Sequence, residues 1–411
     1  MESRVSPLRL FISFLRLGCT AFGGPAMVKY IGDLACSKNP WVSREEFKHG
    51  VALVQTIPGA TAMQAAAYAG LKAGGGPGAL AAYTGFCLPA FGLMVALTFA
   101  YQNAMDISVV ASCFKGLKVI VVAIVLNAAL SFGRKMVKNW RDGALTALAA
   151  VAIAAGRSPV FAIVVCAALG LFFYRTDIPA PTADGAETGE KASSELPGEP
   201  LKAEGGFGIS VRSLLRDEGV RFGLLMTAVI LGILLVLFFS SGRLFDLAVM
   251  MMKIDFFAYG GGYASLPLMF HEVVEKRHLM EAGVLMDGIA LGQVTPGPIV
   301  ITAAFVGFLL YGLMGAAVGA WAIFTPSFII LLFAAPVFDL FKEDHRFKRA
   351  MRGILASFVG LLLAVLYSFV VAISWGPLAL VLAAAASAAL FFGVDILWVV
   401  LGGGLFSALL L

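Results

Sequence analysis

The chain has 411 residues, 60% of them hydrophobic and 13% charged, with a formal net charge of +5. That is too apolar for a soluble globular domain, many stretches reach the roughly 20 apolar residues that span a bilayer, and the alternating short segments of a β-barrel do not occur. Most positive charges fall in loops, where they act as topology signals and not as a nucleic-acid surface. The class expected is an all-α polytopic membrane protein.

The first apolar run, from Leu8 to Ile31, follows Arg4 and Arg9 and is interrupted at Gly23-Gly24-Pro25. No A-x-A site follows it, so it reads as a retained first helix. A polar loop with Arg44, Glu45, Glu46 and Lys48 leads to a second run, Gly50 to Leu71, which contains Gln55-Thr56-Ile57-Pro58-Gly59-Ala60. Proline lacks the N–H and clashes with the preceding turn, so this run cannot stay a regular helix. Ala73-Gly74-Gly75-Gly76-Pro77 reads as a turn, helices follow over 78–101 (with Pro89) and 108–132, and Arg134, Lys135, Lys138 and Arg141 make a basic loop. Two short apolar runs, 144–155 and 159–174, close the first half. The five cysteines (Cys19, Cys36, Cys87, Cys113, Cys166) share no metal-ligand spacing and read as apolar packers.

Thr176 to Gly206 has almost no large apolar residue and reads as a disordered cytoplasmic linker. The second half opens with an extra helix and then repeats the first. The domains expected are 1–175, an N-terminal transmembrane repeat; 176–220, the linker; 221–242, an extra transmembrane helix; and 243–411, a C-terminal repeat.

The repeat is legible residue by residue. Arg16, Phe22-Gly23-Gly24 and Pro89 match Lys253, Tyr259-Gly260-Gly261 and Pro326, and Lys115-Gly116 matches Arg352-Gly353. Gln55 with Pro58-Gly59 matches Gln293 with Pro296-Gly297, 293 − 55 = 238 positions on. Each half holds six helical segments and one extra helix lies between the copies, so equivalent points are separated by an odd number of crossings. The halves then lie antiparallel, the inverted-repeat plan of many secondary transporters. Basic loops at Arg134 to Arg141, Arg212 to Arg216 and Lys342 to Arg352 all fall on the side of the N-terminus, which the positive-inside rule places in the cytoplasm. On this count the chain crosses about thirteen times and its C-terminus lies outside.

A helix broken at membrane depth must satisfy its backbone in protein or in a wet cavity, and a new helix N-terminus there favours an anion. The candidate substrate residues are therefore Gly23, Gly24, Gln55, Pro58, Gly59, Gly260, Gly261, Gly262, Gln293, Thr295, Pro296, Gly297 and Pro298, with the repeat-related charges Arg16 and Lys253. Lys115 and Arg352 are secondary basic candidates. Asp255 either neutralises Lys253 or, left unpaired, carries a proton. Read singly, each glycine fits close helix packing and each cation fits snorkelling to the interface. No metalloprotease, Walker or nucleophile-elbow motif occurs, so no enzyme is expected.

Arg16-Leu17-Gly18 leading to Phe22-Gly23-Gly24-Pro25, Gln55 with Pro58-Gly59, Tyr259-Gly260-Gly261-Gly262-Tyr263 with Leu266-Pro267-Leu268, and Gln293 with Pro296-Gly297-Pro298 resemble the chromate ion transporter family in its long-chain, two-domain form. The resemblance implies a prokaryotic inner-membrane carrier that exports chromate and confers resistance. It has two departures: Ala60 replaces the second proline of the first break, and Asp255 stands where glycine is usual. The partners expected are a chromate- or sulfate-like oxyanion, the bilayer and a second copy of the chain, with no cofactor, no metal and no nucleic acid. Sulfate import and an anion channel are the alternatives.

Overall fold

The computed structural model describes residues 4–22, 26–175 and 214–410. The chain is an all-α polytopic membrane protein. Gly23, Gly24 and Pro25, and nearly all of the expected linker, lie outside the described residues.

The first half consists of α1 (Pro7–Gly18), α2 (Ala26–Gly32) continued as a π-turn (Asp33–Lys38), α3 (Arg44–Thr56), α4 (Thr61–Ala104), α5 (Ser108–Met136), α6 (Trp140–Ala154) and α7 (Pro159–Phe173). The extra helix α8 covers Glu218–Ser240, opening three residues before the expected boundary. Then come α9 (Gly242–Phe256), a 3₁₀ turn (Gly262–Ala264), α10 (Ser265–Phe270) with a second π-turn (His271–Lys276), and α11 (Ala282–Val294). A 3₁₀ turn (Ile299–Ile301), α12 (Thr302–Ala334), the short α13 (Phe338–Phe341), α14 (His345–Val371), α15 (Pro377–Phe391) and α16 (Ile396–Leu410) complete the chain.

The order of elements recurs, and so do the backbone exceptions. Gly59 has φ +110° and Gly297 φ +109°. The helix kinks also correspond: Gly74 (φ −141°) and Gly75 (φ +68°) in α4 answer to Tyr311 (φ −142°) and Gly312 (φ +63°) in α12.

Long helices are fewer than the crossings expected. Among the described residues five helices are long and apolar enough to cross: α4, α5, α8, α12 (with its 3₁₀ turn) and α14. The interrupted helices turn back instead. Glu46 at the start of α3 lies 3.0 Å from Lys72 near the α4 kink, and Gly50 packs on the Tyr68 ring, so α3 and the first part of α4 form an antiparallel hairpin. Likewise Arg9 at the start of α1 sits over Trp41, 5.9 Å from the ring centroid, after the π-turn. In the second half Gly288 faces Phe305 across the α11–α12 hairpin, and Lys253 meets Glu272 across the α9–α10 pair. The 12 residues of α1 and the 13 of α3 are about 18–20 Å long at 1.5 Å per residue, short of the ~30 Å hydrocarbon core. The α3–α4 hairpin carries Pro58-Gly59 at its tip, the α9–α10 pair Gly260-Gly261, and the α11–α12 hairpin Pro296-Gly297.

The two halves are interlocked by exchanged small-residue contacts. A Cβ on Gly353 of α14 would lie 2.2 Å from the Cys166 carbonyl oxygen of α7, and one on Gly360 would lie 2.3 Å from the Thr146 carbonyl oxygen of α6. The converse holds for α5, whose Gly116 faces Ser407 of α16. Without such residues these backbones could not approach so closely.

Candidate substrate site at the crossed hairpin tips

The Pro58-Gly59, Gly260-Gly261 and Pro296-Gly297 turns and Ala21, just after α1, lie together. Gly59 N–H donates to the Ala258 carbonyl (2.9 Å), and Gly297 N–H donates to the Ala21 carbonyl (2.9 Å). The bonds are reciprocal: each Pro-Gly tip caps the end of the glycine-turn hairpin from the other half. Only a residue tolerant of positive φ serves here, because a side chain would suffer both the strained backbone and its neighbours. A Cβ on Gly59 would stand 2.2 Å from Ser327 Cβ of α12; on Gly297 it would stand 2.9 Å from Ala90 Cβ of α4.

The same bonds remove Gly59 and Gly297 from the donors free to hold an anion. Pro58, Pro296 and Pro298 are buried and shape the tips. Thr295 is also buried, and its hydroxyl donates to the Gly292 carbonyl (2.9 Å), so its hydrogen is engaged. Other donors remain. Gly260 and Gly261 (φ +106° and +87°) are half-buried, and their N–H groups have no acceptor among the described residues. A Cβ on Gly261 would come within 3.0 Å of Thr61 Oγ1, so this turn lies against the N-terminus of α4, where the first N–H groups lack intrahelical partners. Gly262 lies against Ile299 and Val300 of the second break. The Gln293 side chain lies beside Tyr263, and its Nε2 is buried without a hydrogen-bond partner among the described residues. Gln55 is exposed. The cradle is thus built from Gly260, Gly261, the α4 N-terminus at Thr61, and Gln293.

Two of the four expected cations are engaged by carboxylates. Lys253 is held by Glu272 (Nζ to Oε1 2.5 Å), which also faces Lys276 and Arg277. Arg352 makes a two-pronged pair with Asp142, 3.0 Å at both Nε and Nη2. Lys115 and Arg16 are exposed and make no ion pair among the described residues. Each of these side chains thus has a packing or interfacial explanation. Asp255 does not neutralise Lys253: it is 1% exposed, accepts the Ser327 N–H at Oδ2 (2.7 Å), and leaves Oδ1 without a partner.

Sequence reasoning missed Thr61, Tyr263, Gln64 and Ser327. Gln64 was visible as a wholly polar side chain in an apolar run. Thr61 and Ser327 give no such signal, since a hydroxyl in a membrane helix ordinarily bonds to its own preceding turn.

Comparison with known proteins supplies the class. The chromate transporter family model matches twice, over residues 8–171 and 245–408. The chain belongs to the chromate transporter family. Both matches start and stop at equivalent points, 245 − 8 and 408 − 171 each giving 237. As a family member, the chain is 40% identical to an uncharacterized transporter of Methanocaldococcus jannaschii over 93% of this chain and 89% of the relative. It is 28% identical to a chromate transport protein of Cupriavidus metallidurans (86% and 80% covered) and 27% identical to one of Pseudomonas aeruginosa (86% and 79%). No solved structure matches this member of the chromate transporter family.

Proposed function

We propose that the chain is a secondary carrier that moves chromate out of the cell across the inner membrane, with the oxyanion held by the main-chain amides of the crossed tips and by Gln293. The observation that carries this reading is the reciprocal bonding of Gly59 to Ala258 and Gly297 to Ala21. It ties the Pro58-Gly59 break to the end of α9 and the Pro296-Gly297 break to Ala21 after α1, with unpaired donors beside them. Amide donors at a helix N-terminus suit a tetrahedral dianion.

The units of this reading are a first repeat up to residue 175, the helix α8, and a second repeat from residue 243. In each half the hairpins return, and the second part of α4 with α5, or of α12 with α14, supplies the crossings. The α6–α7 pair also returns, because Tyr174 after α7 hydrogen-bonds to Asp142 at the start of α6. With α8, three crossings separate equivalent points. The repeats are then inverted, the N-terminus and linker cytoplasmic and the C-terminus outside. An interior-negative potential drives a dianion outward by roughly 4.6 kcal/mol per 100 mV, twice the single-charge value.

The test is chromate accumulation in cells with and without the gene. Lower accumulation with the gene is expected, and equal accumulation counts against export. Gln293→Ala should weaken chromate binding about 10-fold, as loss of one hydrogen bond to a charged ligand, read as a raised KM for chromate flux. Gln55→Ala, at an exposed position, should change KM far less.

Proton-coupled uptake of sulfate or a related oxyanion is the second reading. The buried, unpaired carboxyl of Asp255 beside the tips favours it.

A further inference from the structure

The two crossings of tip and long helix are related by the repeat, but their chemistry differs. At the Gly59 crossing stand Asp255, Ser327 and Tyr83. Their equivalents at the Gly297 crossing, 237 positions away in each case (255 − 18, 327 − 90, 320 − 83), are Gly18, Ala90 and Ala320. At these three positions one crossing is polar and the other is not. Burying a carboxyl is costly unless its oxygens are satisfied.

Its geometry is defined. Asp255 Oδ1 lies 3.0 Å from where a Cβ of Gly59 would be, directly beneath the first tip. Asp255 Oδ2 takes the N–H of Ser327, the residue after Pro326 in α12. Gln64, fully buried, donates to the Pro58 carbonyl (2.6 Å) and leaves its Oε1 without a donor. Tyr83 donates to the Phe324 carbonyl (2.7 Å) and contacts Ser327 Oγ (3.2 Å). Two buried acceptors, Asp255 Oδ1 and Gln64 Oε1, therefore adjoin the same tip with no hydrogen to share. Among the described residues the titratable group facing Asp255 is Tyr83 of α4, with Cys87 one turn further along. Lys253 on its own helix is turned to Glu272, and the tip and α12 present no charge to it.

We propose that Asp255 is a proton site that loads together with the oxyanion, so that this transporter carries one proton with each anion. The inference rests on the transport reading above and adds the coupling ion. A proton on Oδ1 provides the missing donor. A dianion arriving at the neighbouring cradle repels a carboxylate and not a neutral carboxyl, so anion binding and proton uptake favour one another; linkage makes the effect reciprocal. The proton is taken from one aqueous phase and returned to the other with the cargo, and no covalent step is involved. Each cycle then moves one net negative charge with a dianion in place of two.

The experiment uses the full-length protein in proteoliposomes, with labelled sulfate and chromate as probes at alkaline pH. Wild-type flux should rise several-fold when a proton gradient is imposed, fall back with a protonophore, and carry one net charge per dianion. In Asp255→Asn the ratio of flux with and without the gradient should fall to one, with two charges per dianion. A proton dependence retained in Asp255→Asn, or wild-type flux driven by a sodium gradient instead, overturns the inference. So does a wild-type charge of two per dianion, even if transport is robust. Because the variant can fail to fold, a second measurement uses wild-type protein in detergent: sulfate addition should draw protons from a weakly buffered solution, and binding without proton uptake overturns the proposal. Absence of both binding and flux for either anion overturns the transport reading itself.

Discussion

Gly59→Ala is expected to lower chromate flux by about 100-fold, the loss typical when a reacting or binding group is displaced by an ångström. The new methyl group would start 2.2 Å from Ser327 Cβ, on a backbone with φ +110°. The unfavourable backbone alone costs about 1–2 kcal/mol. To escape the clash the tip must withdraw from α12, which breaks the Gly59 bond to the Ala258 carbonyl and moves the α4 N-terminus away from Gly261. Gly297→Ala should follow in the same direction but less steeply, because its nearest neighbour, Ala90 Cβ, is 2.9 Å away. Ser327→Gly in the Gly59→Ala background removes the clashing atom and should restore part of the flux, leaving only the backbone penalty. Initial rates in proteoliposomes separate these cases. Wild-type flux in Gly59→Ala would show that the tip contact is dispensable.

Arg352→Ala is expected to destabilise the protein by about 3–5 kcal/mol, the cost of stranding a buried partner charge. Asp142 is fully buried and accepts from Lys138 N and Asn139 N (3.0 Å each), from Arg352 twice, and from the Tyr174 hydroxyl. The guanidinium also lies over the Tyr174 ring, 4.2 Å from its centroid. Arg352→Lys keeps the charge but not the fork and should recover only part of the loss. Lys115→Ala, at the repeat-related but exposed position, should shift stability by no more than about 0.5 kcal/mol. Thermal unfolding in detergent measures all three. If Arg352→Ala left the unfolding temperature unchanged yet stopped chromate flux, Arg352 would belong to the substrate path after all.

The class and the family were legible because composition and the paired Gln/Pro/Gly breaks are local properties. The hairpins were not. An apolar run such as Gly50 to Leu71 has the same hydrophobicity whether it crosses the bilayer or doubles back at its interruption, and only contacts such as Glu46 with Lys72 reveal the return. Gly59 and Gly297 were found as breaks, but the carbonyls that take their N–H groups belong to the other half of the chain. Arg352 and Lys253 stood out as charges in apolar surroundings. Their carboxylates, Asp142 and Glu272, carry no sequence mark that pairs them. Asp255 was read as a choice between two roles, and Lys253 pairs with Glu272 and not with it.

The exchanged packing of α5 on α15 and α16, and of α14 on α6 and α7, has a bearing on biosynthesis. When the ribosome has finished the first half, the Gly116 face of α5 has no α16 to lie against, and the surface that will receive α14 is bare. The early half must wait in the bilayer in an unfinished form. Maturation is then a single late event, and a ribosome stalled beyond α8 should yield a protease-sensitive product, whereas release after α16 should yield a resistant one.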